Sequence, residues 1–165
     1  MKTLHLDKVD STQSIAASFL NYNSVNEILI LADVQTKGRG RLNERSWISV
    51  NENFHGSFVI SLEKLCISEN SVSMLNDICL KIIKDFLDNE AVSIKTPNDV
   101  LIDGKKVAGV LIEVQKKHAI IGIGINVKHS PLPTSTSILQ SFKRDVSLKE
   151  IAQFISDRIL SISFV

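Results

Sequence analysis

The sequence has no long apolar run, no cysteine framework, no charge excess and no metal-ligand spacing, and each absence removes a class of protein. Its 165 residues nowhere approach the roughly 18 consecutive apolar residues of a membrane span. Met1 to Leu6 alternates polar and apolar residues and lacks the apolar centre of a secretory signal. The two cysteines, Cys66 and Cys79, fall near or within a predicted helix and suit small buried hydrophobes of a reducing compartment better than a disulfide network. A cytoplasmic protein is therefore expected. A formal net charge of +1 argues against a nucleic-acid surface built on overall positive charge, although a local basic loop stays open. There is no internal repeat, linker or low-complexity tail. What remains is one domain's length of chain with 44% hydrophobic residues, enough to bury a core unaided.

The richest stretch runs from Lys95 to Glu113 and reads as a β-hairpin. Val100 to Ile102 and Val107 to Glu113 are aliphatic and β-branched, and Asp103-Gly104 between them accepts the positive φ angles of a tight hairpin turn. Lys105 and Lys106 follow side by side, and period-two alternation lets only one of them face a pocket. Pro97 fixes a corner that presents Asn98 and Asp99 at a strand entrance. Gly109 weakens a strand interior unless another group must come close. Lys106 and Gly109 are three apart, so a regular strand would point them to opposite faces; a bulge or a backbone-only contact is needed if both serve one ligand. A surface hairpin with solvated lysines is the alternative.

The rest of the chain supplies candidate partners for such a hairpin. Leu4 to Val9 is a strand, followed by Asp10-Ser11-Thr12-Gln13 at the start of a helix reaching about Leu20; Ser11 and Thr12 either cap it or bind a polar ligand above its N-terminus. Glu27 to Val34 is a buried strand that delivers Gln35-Thr36-Lys37-Gly38-Arg39-Gly40-Arg41 to the sheet edge. Its glycines allow close backbone approach and its arginines suit phosphate or carboxylate, yet it could equally be an RNA-binding or merely flexible loop. Trp47 packs in the core or stacks on a flat ring. Asn51 to Gly56 reads as a turn, Ser57 to Leu62 as a strand, and Ser71 to Leu87 as a helix burying Val72, Leu75, Cys79, Ile82 and Phe86. Ala119 to Val127 is a strand whose Gly122 and Gly124 clear one face, with Asn126 in the same register. Pro131 and Pro133 break regular structure, and Ser147-Leu148-Lys149-Glu150 is a capping box opening a last amphipathic helix to about Ile162.

Taken in order, Asp10-Ser11-Thr12, Gln35 with Gly38-Arg39-Gly40-Arg41 and Trp47, Lys95-x-Pro97-Asn98-Asp99, Gly104 to Glu113, and Gly122 to Val127 resemble the catalytic domain of the biotin protein ligases. Each motif is weak alone and the set is specific. The resemblance implies an α+β fold, a mixed central sheet flanked by helices, related to class II aminoacyl-tRNA synthetases. It implies one catalytic domain over residues 1–165, without the N-terminal DNA-binding domain or the C-terminal β-barrel domain of some relatives. The implied reaction joins biotin and ATP as biotinyl-5′-AMP, with Mg²⁺ held mainly by the nucleotide phosphates and no protein metal ligand. The acyl group then passes to a lysine of a biotin carboxyl carrier domain; no nucleic-acid or membrane partner is implied, and a homodimer is allowed.

By the same resemblance, Ser11, Thr12 and Gln35 hold the biotin head group, Gly38 and Gly109 close backbone contacts, and Arg39 lies near carboxylate and phosphate. Lys106 touches the activated carboxyl and the α-phosphate, Arg41 is a second catalytic cation on the nucleotide, and Asn98, Asn126 and Trp47 surround the adenylate. The chain departs from the family at Gln13, where Asn is usual, at Thr96, where Trp is usual, and in the segment between Arg41 and Trp47, where Glu44 adds a negative charge. Two rival readings are a lipoate or octanoate ligase, which shares fold and lysine hairpin, and a non-catalytic module binding a nucleotide or a biotinylated domain.

Overall fold

Strand alternation gives the sheet two apolar faces, and the helices divide between them. The computed structural model describes residues 1–22, 27–41, 46–68 and 71–162. The elements run β1 (Lys2–Val9), α1 (Thr12–Tyr22), β2 (Glu27–Gln35), β3 (Phe54–Ser61), α2 (Val72–Leu87), β4 (Val92–Lys95), β5 (Asp99–Ile102), β6 (Lys105–Gln115), β7 (His118–Ile125), α3 (Ile138–Phe142) and α4 (Leu148–Leu160). The seven strands form one sheet in the order β1-β2-β3-β7-β6-β5-β4, with β1 and β2 parallel and every other neighbour antiparallel. This is the expected mixed sheet.

On one face, Phe54, Phe58 and Ile60 of β3 and Ile121, Ile123 and Ile125 of β7 form a buried cluster with Leu75, Cys79, Ile82 and Phe86 of α2 and Ile151, Ile155 and Ile159 of α4. The predicted apolar face of α2 is thus core except at Val72, which is half-buried at the helix start, and burial pushes the Cys79 thiol up to about 12. On the other face, Ala16 and Leu20 of α1 pack on Ile28, Ile30, Val59 and Ile120. Two residues further along the same register, Ser57 pairs with Gly122, which pairs with Leu111, and Gly109 pairs with Gly124. The three glycines and Ser57 keep this patch low at the N-terminal end of α1, where Gln13 and Trp47 come down onto Gly122 and Gly124.

The Asp103-Gly104 turn takes the expected left-handed pair, φ 48° and 75°. The β6–β7 turn does the same with Lys116 and Lys117 (φ 49° and 58°), which have no glycine's freedom. Ser147 caps α4 by accepting from the Glu150 amide at 3.1 Å, while the Glu150 carboxylate turns to Arg144 (3.3 Å). Three expectations need correction. The turn at Asn51 is shorter than predicted: β3 begins at Phe54, and Asn53 instead pins the chain after β7 by accepting from the Val127 amide at 2.9 Å. A short helix, α3, follows the prolines and is capped by Ser137. Cys66 is exposed in a left-handed turn conformation. Among the described residues no helix is long and apolar enough to cross a membrane.

Candidate active site

The floor of the site depends on an irregularity in β6. Leu101 pairs with Lys106, but the preceding Val100 pairs with Ala108, so Val107 is an extra residue on β6. Val107 and Ala108 are both buried. The bulge turns Lys106 onto the face of Gly109, where a β-carbon on the glycine would lie 3.3 Å from Lys106 Cε and Nζ. Here Lys106 Nζ sits 2.6 Å from Asp99 Oδ1 in an ion pair and 5.5 Å from the centroid of the Trp47 ring. Lys105 is exposed. Asp99 is placed by the register, opposite Gly109. Asn98 locks the strand end, its carbonyl accepting from the Val110 amide (2.9 Å) and its Nδ2 donating to the Val110 carbonyl (3.3 Å).

At the other end of the cavity lies a buried chain of polar groups. Thr12 donates to Gln35 Oε1 from its amide (2.7 Å) and its hydroxyl (3.1 Å). Ser57 Oγ stands 2.9 Å from both Thr12 Oγ1 and Gln13 Oε1, and Gln13 Nε2 donates to the Ile120 carbonyl at 3.0 Å. Gln13 lies over Gly122, where a β-carbon would come within 2.6 Å of its Oε1. Ser11 Oγ is buried with no partner, so its role is not capping, and as a buried orphan it is a ready site for a ligand polar group. Behind this cluster the Gln35 amide donates to Ser49 Oγ (2.8 Å), which contacts the buried His55 ring at 3.3 Å. Burial pushes the His55 imidazole below its ordinary value, against the smaller opposing effects of the Ala32 carbonyl and Asp33.

The loop after β2 roofs the site. Trp47 donates from its amide to the Gly38 carbonyl (3.0 Å), and Arg39 bridges to Ser46, so the loop leaves and returns as a narrow pair. The Trp47 indole lies on Gly124, where a β-carbon would fall 2.5 Å from the ring. A cavity of about 360 Å³ results, bounded by both polar ends, Lys106, Arg41 and Trp47. That is ample for a small bicyclic head group and its chain. Thr96 borders an adjoining cavity of about 380 Å³ shared with Arg41 and Pro97.

The structure gathers Ser11, Thr12, Gln35, Arg39, Arg41, Trp47, Asn98, Lys106 and Gly109 around one cavity. Three expected site residues have other contacts. Gly38 does not line the cavity: its bareness admits the Trp47 carbonyl, which a β-carbon would strike. Asn126 is buried outside the lining, where its Nδ2 donates to the Thr136 carbonyl at 3.0 Å. Arg39 lines the cavity but is engaged in a bidentate ion pair, Nη1 and Nη2 to Glu113 at 3.1 and 2.5 Å. Leu42 to Arg45, including Glu44, lies outside the described residues. Gln13, Ser57 and Glu113 were not foreseen as site residues. Glu113 could have been found by counting in twos from Gly109; nothing local singles out Ser57.

The sequence profile of the biotin/lipoate A/B protein ligase family matches residues 6–126, and the chain belongs to that family. The bifunctional ligase/repressor BirA of Bacillus subtilis is 35% identical over 136 residues, 78% of this chain and 41% of that protein. A biotin–[acetyl-CoA-carboxylase] ligase of Mycobacterium tuberculosis is 29% identical over 150 residues, 81% and 54% of the respective chains. The chain therefore spans about half the length of these curated relatives, or less. The biotin protein ligase from Aquifex aeolicus in complex with biotin and ATP superposes with a TM-score of 0.77 at 31% identity, covering 96% of this chain and 68% of that one. The enzyme from Leishmania major in complex with biotinyl-5-AMP gives 0.82 at 25% identity, with 98% and 74% covered.

Proposed function

We propose that the chain is a biotin protein ligase that forms biotinyl-5′-AMP from biotin and ATP and passes the biotinyl group to a lysine of a biotin carboxyl carrier domain. The observation that carries the reading is one cavity holding Lys106 at one end and the Ser11, Thr12, Gln35, Ser57 and Gln13 polar cluster at the other. A ureido ring has N–H and C=O groups to engage such a cluster. A dithiolane or a plain acyl chain has none and would leave buried polar groups unpaired, which weighs against a lipoate or octanoate substrate.

In the first step a biotin carboxylate oxygen attacks the α-phosphorus, the bond to the bridging oxygen breaks, and pyrophosphate leaves. Two anions must meet, so cations aimed at the charge between them lower the barrier. Lys106 would serve here by exchanging Asp99 for the reacting oxygens, a reading supported by its ion pair inside the cavity that Arg41 also borders. In the second step the acceptor amine attacks the acyl carbon and AMP leaves. The site fits Mg²⁺ arriving on the nucleotide: Asp99 is the one carboxylate among the described lining residues, and a metal carried by phosphates needs only one or two. Such an ion would neutralise phosphate charge.

The test is to incubate the purified protein with ATP and biotin, lipoate or octanoate in parallel and to identify acyl-AMP by mass. Biotinyl-AMP alone, followed by labelling of an added carrier domain, supports the proposal. Lipoyl- or octanoyl-AMP in its place assigns the other ligase, and no adenylate with retained nucleotide binding assigns a binding module.

A further inference from the structure

Arg39 and Glu113 are held together across half the width of the sheet. Arg39 follows β2 and Glu113 lies on β6, with β3 and β7 between them. At normal strand spacing that is about 14 Å, so the loop must arch over the cavity floor for the two to meet. Glu113 is in register with Gly109 and Leu111, both of which line the cavity, and so rises on the same face. The pair is bidentate, at 3.1 and 2.5 Å, with both side chains about one-third to two-fifths exposed, 43% for Arg39 and 32% for Glu113. Fork-on-carboxylate geometry fixes direction as well as distance. The loop is otherwise anchored at its ends, by Thr36 and Lys37 to the end of β1, by Trp47 to Gly38 and Ser46 to Arg39 at its base, and by the Trp47 indole on Gly124, none of which holds the Arg39 side chain down toward β6. Glycine flanks Arg39 on both sides, so nothing local stiffens the arch.

We propose that Glu113 is a positioning residue that clasps the Gly-Arg-Gly-Arg loop over the cavity through Arg39, so that Arg39 holds the roof shut and the cationic work falls to Lys106 and Arg41. The clasp sets how long an adenylate stays inside; that consequence rests on the ligase reading, whereas the clasp itself does not. A partly exposed bidentate pair is worth up to about a tenfold change in an opening equilibrium. Its loss should open the loop and release the adenylate about three- to tenfold faster, with little effect on the chemistry at Lys106.

The experiment compares the parent with Glu113→Gln, Arg39→Gln, both together, and the exchanged pair Arg39→Glu with Glu113→Arg. The first readout needs no substrate: the rate of trypsin cleavage after Arg41, mapped by mass. The second is the dissociation rate of biotinyl-AMP, followed by displacement with unlabelled adenylate. The clasp predicts that both single variants and the double variant are cleaved about threefold or more faster by the same factor, and that the exchanged pair returns toward the parent in both readouts. Cleavage of Glu113→Gln at the parent rate overturns it. So does an exchanged pair as defective as Arg39→Gln, which would assign Arg39 to the ligand. If cleavage follows the clasp pattern but no adenylate forms or binds, the ligase reading has failed and the clasp stands.

Discussion

Lys106 and Gly109, three residues apart on β6, share one face of the sheet because Val107 is bulged out of register against Val100 and Leu101. The bulge reconciles two demands that a regular strand cannot meet together. Gly109 must be bare so that the Lys106 side chain can lie across it, 3.3 Å from where a β-carbon would stand. Lys106 must leave the face that Val107 and Ala108 use for the core. Asp99, opposite Gly109, then finds the ammonium at 2.6 Å and holds it in the cavity until an anion competes for it.

Lys106→Ala is therefore expected to lower the rate of biotin-dependent pyrophosphate release by about 10²- to 10³-fold, the usual effect of removing one group aimed at developing charge. Lys105→Ala, which removes an exposed side chain, should stay within about twofold. Measured side by side with the parent under saturating ATP, parental rates for both variants would show that neither lysine serves the reaction.

Gly124→Ala should displace Trp47. The added carbon would stand 2.5 to 2.8 Å from three atoms of the indole, too near for any relaxed contact, and the ring's own loop gives it room to leave. Because the chain has a single tryptophan, its fluorescence reports this directly. The emission should shift to the red, and ATP affinity should fall by about tenfold if the indole's contact with the nucleotide is worth roughly 1.4 kcal/mol. An unshifted emission spectrum would show that the ring does not rest on Gly124.

Much of this site can be read from the chain because its motifs are local: the Asp103-Gly104 turn, the Asn98-Asp99 corner and the paired lysines depend on neighbours within a few residues. Their meeting place is less local. Gly122 and Gly124 showed that a face was cleared, but not that Gln13 and Trp47 fill it from α1 and the β2–β3 loop, since those contacts join segments dozens of residues apart. Arg39 reads as a free cation in the sequence because its partner, Glu113, comes from β6, three strands away from β2. Ser57 lies in an ordinary strand, and only the pairing β2-β3-β7 brings it between Thr12 and Gln13. The bare backbone at Gly38 permits close approach, and the group that approaches is Trp47 of the same loop.

The β6–β7 turn carries avoidable strain. Lys117 sits at φ 58°, a conformation that costs a side-chain-bearing residue roughly 1–2 kcal/mol, while the structural work at this position is done by its carbonyl, which accepts from the Leu62 amide at 2.9 Å. Lys117→Gly keeps that bond and relieves the strain, less the added entropy of an unfolded glycine. A net stabilisation of about 0.5–1 kcal/mol is expected from the urea midpoint. Lys81→Gly on the exposed side of α2 is the control and should destabilise by about 1 kcal/mol.

His55 gives the fold a pH dependence of predictable sign. In the unfolded chain its imidazole titrates near the ordinary value of 6.5, and in the fold burial holds it lower. Below pH 6.5 the unfolded state therefore binds the extra proton first, and stability present above that pH is lost as the pH falls toward the folded value. The loss from this one group can reach at most about 1.4 kcal/mol per pH unit. Protonation would also disturb Ser49, which touches the ring at 3.3 Å and receives the Gln35 amide, so the polar end of the cavity should loosen with it. Urea unfolding at pH 7.5, 6.5 and 5.5 compares the parent with His55→Gln, which keeps polar atoms near the Ala32 carbonyl and Ser49 but cannot titrate. Both proteins share the contribution of their carboxylates, so the difference between them isolates the histidine. The variant, though less stable at pH 7.5, should lose less stability than the parent between pH 6.5 and 5.5. Parallel curves would mean that the ring takes up its proton within the fold as readily as in water.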